Sequence, residues 1–130
     1  MSEKHVVKRG IPRLYAAFFH SLSGLGFALS RETSFRQEFC AFVVLLIPLY
    51  FLPLSFAFKC LLFFSHTVVL IVELINSAIE SIVDLASPDH HPLAGRAKDL
   101  GSAAVLLSLV LVILLWGGAV YSMLYGTRGL

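Results

Sequence analysis

The sequence predicts an all-α membrane protein, with an N-terminal amphipathic surface helix followed by three transmembrane helices. Three observations carry that reading. Of 130 residues, 58% are hydrophobic and only 14% charged, with a mean hydropathy of +0.85. Water-soluble domains are nearer half apolar and a quarter charged. Two long stretches, Phe39–Phe58 and Leu100–Leu124, contain no charged residue; each is about the length needed to cross a ~30 Å hydrocarbon core. Between them an apolar run continues into Val72–Asp84, which carries Glu73, Asn76, Glu80 and Asp84. At about 100° per residue these four fall on one helical stripe roughly 80° wide.

The chain has room for one domain, residues 1–130, with helices expected over 10–31, 34–52, 60–85 and 94–124. In the first, Ile11, Leu14, Tyr15, Phe18, Leu22, Leu25 and Leu29 gather on one side, and Arg13, His20, Gly24 and Arg31 lie opposite. That pattern suits a helix lying in the membrane boundary. A signal peptide is the rival reading. However, the apolar core Leu14–Phe19 is short, and His20 and two serines follow without a convincing cleavage site. Ser34 and Gln37 have capping-box spacing for the second helix. Pro48 and Pro53 predict that it bends late and ends near Leu52, with Leu54–Phe58 as a tight turn and Lys59 at the far interface. Ser87-Pro88-Asp89-His90-His91-Pro92 reads as a polar loop, and Pro92 suits the first turn of the last helix.

Basic residues set the orientation. Lys4, Lys8, Arg9, Arg13, Arg31 and Arg36 precede the first span and Arg96 and Lys98 follow the second, whereas Lys59 and Arg128 lie on the other side. The positive-inside rule places the N-terminus and the 86–99 loop in the cytoplasm. The net charge of +2 gives no reason to expect a nucleic-acid partner. Cys40 and Cys60 match no metal spacing and read as packing residues at different depths, out of reach of a bridge.

The chemistry is concentrated at the cytoplasmic face. Ionisable groups in a span cost several kcal/mol (~2.5–3.5 at the centre on insertion scales) unless they face protein, water or a cation. Glu32 and Glu38 come from the first junction, and Glu80 and Asp84 from the end of the second span. Converging carboxylates repel unless a cation offsets them. Mg²⁺ takes one or two carboxylates together with substrate phosphates, and Arg13, Arg96 and Lys98 can face those phosphates. No Walker loop or GxGxxG pattern is present, and a scatter of interfacial charges explains Arg36, Glu38 and Arg96 equally well. Glu73 is deeper. It reads as a general base for a lipid hydroxyl, as a proton-coupled transporter residue, or as a structural acid bonded to Asn76 or a neighbouring helix. His90 and His91 do not share a helical face and suit a solvated loop or a nucleotide contact better than metal ligation. Small residues Gly101, Ser102, Ala103 and Ala104 allow close helix packing, and a homo-oligomer would close the polar stripes against one another.

Glu73-Leu-Ile-Asn76-Ser77-Ala-Ile-Glu80, then Asp84, then Gly95-Arg96-Ala97-Lys98-Asp99, resembles the small integral-membrane diacylglycerol kinase family of bacteria. Phe35-Arg36-Gln37-Glu38 and the surface-helix pattern ending in Glu32 are similar to it too, over roughly Arg13 to Trp116. The continuation Leu-Gly-Ser-Ala-Ala-Val resembles the diacylglycerol kinase branch rather than the related undecaprenol kinases. The resemblance implies a homotrimer with shared active sites in the bacterial inner membrane, using Mg²⁺ and ATP to phosphorylate diacylglycerol. It implies Glu73 as the general base and Glu32 and Glu80 as metal ligands that also contact ATP. It further implies Arg13, His20, Asp89, His90, His91, Lys98 and Asp99 near ATP, and Arg13, Ser21, Asn76 and Ser102 with Glu73 near the lipid substrate. His20 stands where the family pattern has a tyrosine, and His90 replaces an aromatic.

Overall fold

The computed structural model describes residues 10–87, 89 and 91–125. His90, the terminal Lys4, Lys8 and Arg9, and Arg128 lie outside the described residues. Four helices follow one another: α1 (Ile11–Arg31), α2 (Thr33–Phe51), α3 (Phe56–Ala86) and α4 (Pro92–Tyr125), with no strand among the described residues. The last three are long and apolar enough to cross a membrane. At ~1.5 Å per residue α3 and α4 outrun a ~30 Å hydrocarbon core. Their polar ends, joined by the 87–91 loop, therefore extend to headgroup level.

Local signals set the boundaries. Gly10 precedes α1 with φ 73°, a left-handed conformation that glycine adopts without steric cost. The α1–α2 break is a single residue, Glu32, in extended conformation (φ −92°, ψ 110°). Its N–H donates to the Ala28 carbonyl, and its own carbonyl accepts from Arg36 N–H. Glu32 thus closes one helix and opens the next. The capping box expected from Ser34 does not form, because α2 has already begun at Thr33 and no side chain caps it.

The helix α2 ends at Phe51, as Pro48 and Pro53 predict. The turn that follows is shorter than the sequence suggests. Ser55 Oγ accepts from Phe58 N–H and caps α3, so 56–58 are helical and Lys59 lies within the first turns. There its ammonium donates to the Tyr50 carbonyl at 3.0 Å and satisfies an open end of α2. Pro92 begins α4, and the His91 ring Nδ1 accepts from Leu93 N–H at 3.2 Å.

The broadest interface joins α3 to α4; α2 packs on α3, and α1 on α2. An apolar cluster of Leu49, Leu62 and Ala119, with Leu54, Phe58, Leu115 and Trp116 against it, holds the end of the bundle away from the carboxylates. The buried hydroxyls of Ser65 and Ser108 donate to carbonyls of their own helices, Leu62 and Val105, so neither is left unpaired in hydrocarbon. Many large apolar side chains remain outward-facing, among them Ile71, Ile75, Leu106, Leu107, Ile113 and Leu114. Cys40 and Cys60 are free, as expected, but exposed; neither is a packing residue within the chain.

Candidate active site

The site is built around Glu73. It lies midway along α3, and its side chain is only 5% exposed. The negative charges of Glu38, Glu80 and Glu32 all act on it. The carboxylates that act on it thus come from α2, from α3 itself and from the α1–α2 junction. Phe35, 2% exposed, anchors the start of α2, and buried Ala28 anchors the end of α1. Between them Glu32 has little backbone freedom.

Asn76 links the stripe internally. Its Nδ2 donates to Glu80 Oε1 at 3.1 Å, while its Oδ1 is buried and accepts no hydrogen bond. The donor must face the carboxylate, so the amide oxygen turns toward α4. There it meets Gly101, where a Cβ would overlap Oδ1 and lie 3.2 Å from Cγ. With the amide in this orientation, the close approach leaves room for glycine and not for a Cβ.

Two cavities open in this half of the bundle, and of the four glutamates only Glu32 lines one of them. One, about 500 Å³, separates α1 from α3 and is lined by Ser21, Gly24, Leu25, Glu32, Ser77 and Ser81 among others. The other, about 540 Å³, lies at the polar end of α3 and α4, where Asp84, Ser87, Asp89, His91, Gly95 and Lys98 line it. Lys98 and Asp84 form an ion pair across that end, with side chains 40% and 67% exposed. Water and salt screen such a pair. Asp84→Asn should therefore lower the melting temperature in micelles only slightly, by an amount that fades as salt is raised. A large, salt-insensitive loss would show that the pair is a structural clamp.

The matched family model is that of the prokaryotic diacylglycerol kinases, over residues 19–120. The chain is 39% identical over 107 residues to the diacylglycerol kinase of Escherichia coli K12, covering 82% of this chain and 88% of that protein. It is 40% identical over 113 residues to that of Haemophilus influenzae, with 86% and 95% covered. It is 38% identical over 109 residues to that of Helicobacter pylori 26695, with 84% and 85% covered. The chain belongs to the prokaryotic diacylglycerol kinase family.

It is an enzyme of the lipid kinase class, carried on membrane-spanning helices. Of the residues singled out in the sequence, Asn76 bonds Glu80, the charges of Glu80 and Glu32 reach Glu73, and Glu32 lines the α1–α3 cavity, whereas Glu73 and Glu80 line neither cavity. Ser21 shares the α1–α3 cavity with Glu32 and donates its hydroxyl proton to the Ala17 carbonyl. Asp89, His91 and Lys98 share the polar cavity. Arg13, His20, Asp99 and Ser102 are exposed and line neither cavity. His91 has a structural task in capping α4, and the Asn76 amide faces Glu80 and Gly101 rather than either cavity.

Glu38, equally well explained in the sequence as an interfacial charge, belongs with the site through its action on Glu73. Ser77 and Ser81, not singled out in the sequence, line the α1–α3 cavity, and their i, i+4 spacing beside the acid stripe is the signal that marks them. Among the described residues no three His, Cys, Asp or Glu side chains form a ready-made metal cage. A Mg²⁺ ion that arrives with phosphates and keeps water needs only one or two protein carboxylates.

Proposed function

We propose that this kinase transfers the γ-phosphate of ATP to the hydroxyl of 1,2-diacylglycerol, giving phosphatidic acid, in the bacterial cytoplasmic membrane. The observation that carries the proposal is the buried Glu73, on which the charges of Glu38, Glu80 and Glu32 act, next in α3 to Leu74, which lines the largely apolar α1–α3 cavity together with Glu32. A diacylglycerol hydroxyl sits at headgroup level, and the α1–α3 cavity admits it with its acyl chains still in lipid. Glu73 accepts the hydroxyl proton as the lipid oxygen bonds to the γ-phosphorus and the bond to the ADP oxygen breaks. Phosphoryl transfer asks the protein mainly for positioning and charge neutralisation, and in this reading these residues supply both.

Glu32 and Glu80 are the residues that would hold Mg²⁺, Asn76 fixing one Glu80 oxygen and leaving the other free. When bound, the metal neutralises charge on the nucleotide phosphates. Lys98, which shares the polar cavity with Asp89 and His91, would meet ATP arriving from the cytoplasm; Arg13, His20 and Asp99 complete the nucleotide side in this reading. We assign α1 to the membrane surface, the N-terminus to the cytoplasm and the active form to a homotrimer. A trimer would cover outward-facing apolar surface of the spans and close the open flanks of the cavities.

The decisive experiment offers diacylglycerol or undecaprenol to the purified protein in mixed micelles with Mg-ATP, following labelled phosphate into lipid. Transfer to diacylglycerol in preference to undecaprenol is expected. Preference for undecaprenol would overturn the substrate, and transfer to neither would overturn the reading as a whole.

A further inference from the structure

The polar stripe of α3 does not begin at Glu73. Two turns earlier, on the same face, lies His66, 8% exposed and in the apolar half of the helix. Its Nε2 accepts a hydrogen bond from Trp116 Nε1–H of α4 at 2.9 Å. An imidazole that accepts at Nε2 is neutral and carries its proton on Nδ1. The Phe42 ring of α2 lies 5.7 Å from the imidazole and 5.3 Å from Phe63, so three helices enclose the pair. Among the described residues, this bond and the exposed Lys98–Asp84 ion pair are the side-chain hydrogen bonds that join two different helices, and of the two only this one is buried among apolar side chains.

Such a bond is selective for register. Sliding α3 along α4 by one residue moves it ~1.5 Å, enough to separate the two nitrogens and leave an indole N–H unpaired in hydrocarbon. Toward the polar end, the Asn76–Gly101 contact and the Asp84–Lys98 ion pair mark the same antiparallel register. Glu73 lies between His66 and Asn76, held from both sides.

We propose that His66 and Trp116 are a positioning pair of this kinase, whose hydrogen bond sets the height of α3 against α4 and thereby the placement of Glu73 on the lipid hydroxyl. The inference rests on the reading of Glu73 as the base that meets diacylglycerol.

Trp116 is the sole tryptophan in the chain, so its fluorescence reports the bond directly. In mixed micelles with Mg-ATP and diacylglycerol, His66→Leu and Trp116→Phe should each lower kcat about tenfold, a fraction of the ~10²-fold cost of a 1 Å misplacement. The KM for ATP should stay unchanged, and the double variant should be no worse than either single one. His66→Gln, which keeps an acceptor for the indole, should restore most of kcat. Emission from Trp116 should shift to shorter wavelength in His66→Leu and hold in His66→Gln.

A His66→Leu protein with shifted emission and full kcat would overturn the positioning role. Unchanged emission in that variant would overturn the bond itself. Should His66→Leu fail to fold, Trp116→Phe decides through kcat alone, full activity again overturning the proposal. A wild-type protein inactive on diacylglycerol would remove the functional reading, and this inference with it. An active wild type with fully active variants would remove only the inference.

Discussion

Glu73→Gln is expected to lower kcat about a thousandfold, in the range that a positioned general base contributes. The substitution keeps the side chain's size and polarity and removes only its capacity to take the proton. Lipid hydroxyls are poor nucleophiles, so that loss falls on the chemical step. Because the interaction is made in the transition state, kcat and kcat/KM should fall together. Mg-ATP binding, followed by equilibrium dialysis in micelles, should change little, since Glu32, Glu80 and Lys98 are untouched. Glu73 is buried with the charges of Glu38, Glu80 and Glu32 acting on it, so its replacement by a neutral amide removes repulsion and should not destabilise the bundle. This separates the base from a structural acid. Wild-type turnover in Glu73→Gln would end the assignment, whereas intact binding with lost transfer would support it.

Much of this arrangement can be read from residue order alone. Charge-free runs mark spans because lipid tolerates little else. The Pro48–Pro53 interval gives the end of α2, because proline removes a donor that the helix needs. The stripe from Glu73 to Asp84 follows from helical period, and the same period extends it back to His66. What the sequence hides are facts of register between helices. Nothing in the order of residues says that the indole of Trp116 meets His66, because helical period fixes a face but not the height at which two helices meet. Glu38 is similar: by its position near the interface it is one charge among several, and only the packing of α2 on α3 brings it to bear on Glu73. The early start of α3 has a local cause, the Ser55 cap, which competes with Pro53 and the apolar turn residues and prevails.

The polar stripe is also kept in hydrocarbon by its own internal bonding. Asn76 occupies one Glu80 oxygen, Trp116 occupies His66 and Lys98 occupies Asp84. Glu73 receives no such partner among the described residues and is the stripe's one carboxylate that is buried with like charges acting on it. In the proposed reaction this is the group that takes the proton of the lipid hydroxyl, and the bonds made by the rest of the stripe would keep it in position.

Gly101→Ala is expected to lower kcat about a hundredfold, the cost typical of a displacement near 1 Å in an active site. The argument is steric and then electrostatic. The added methyl would overlap Asn76 Oδ1, and overpacking of this kind costs about 1–3 kcal/mol. The bundle has two ways to relieve it. If α4 moves away, the close α3–α4 approach is lost along its length and Glu73 loses its setting. If the Asn76 amide rotates instead, its Nδ2 leaves Glu80, and that carboxylate no longer has one oxygen fixed. Either route lowers activity, and the second predicts a distinctive outcome: the KM for Mg-ATP should rise along with the fall in kcat, because Glu80 is proposed to hold the metal. Gly101→Ala that melts near the wild-type temperature would favour amide rotation, whereas a large drop in Tm would favour helix displacement. Wild-type kcat and KM in Gly101→Ala would show that the Asn76–Glu80 bond does not position the site. Gly117, where a Cβ meets no atom within 4 Å, supplies the control: Gly117→Ala in the same helix should leave kcat unchanged.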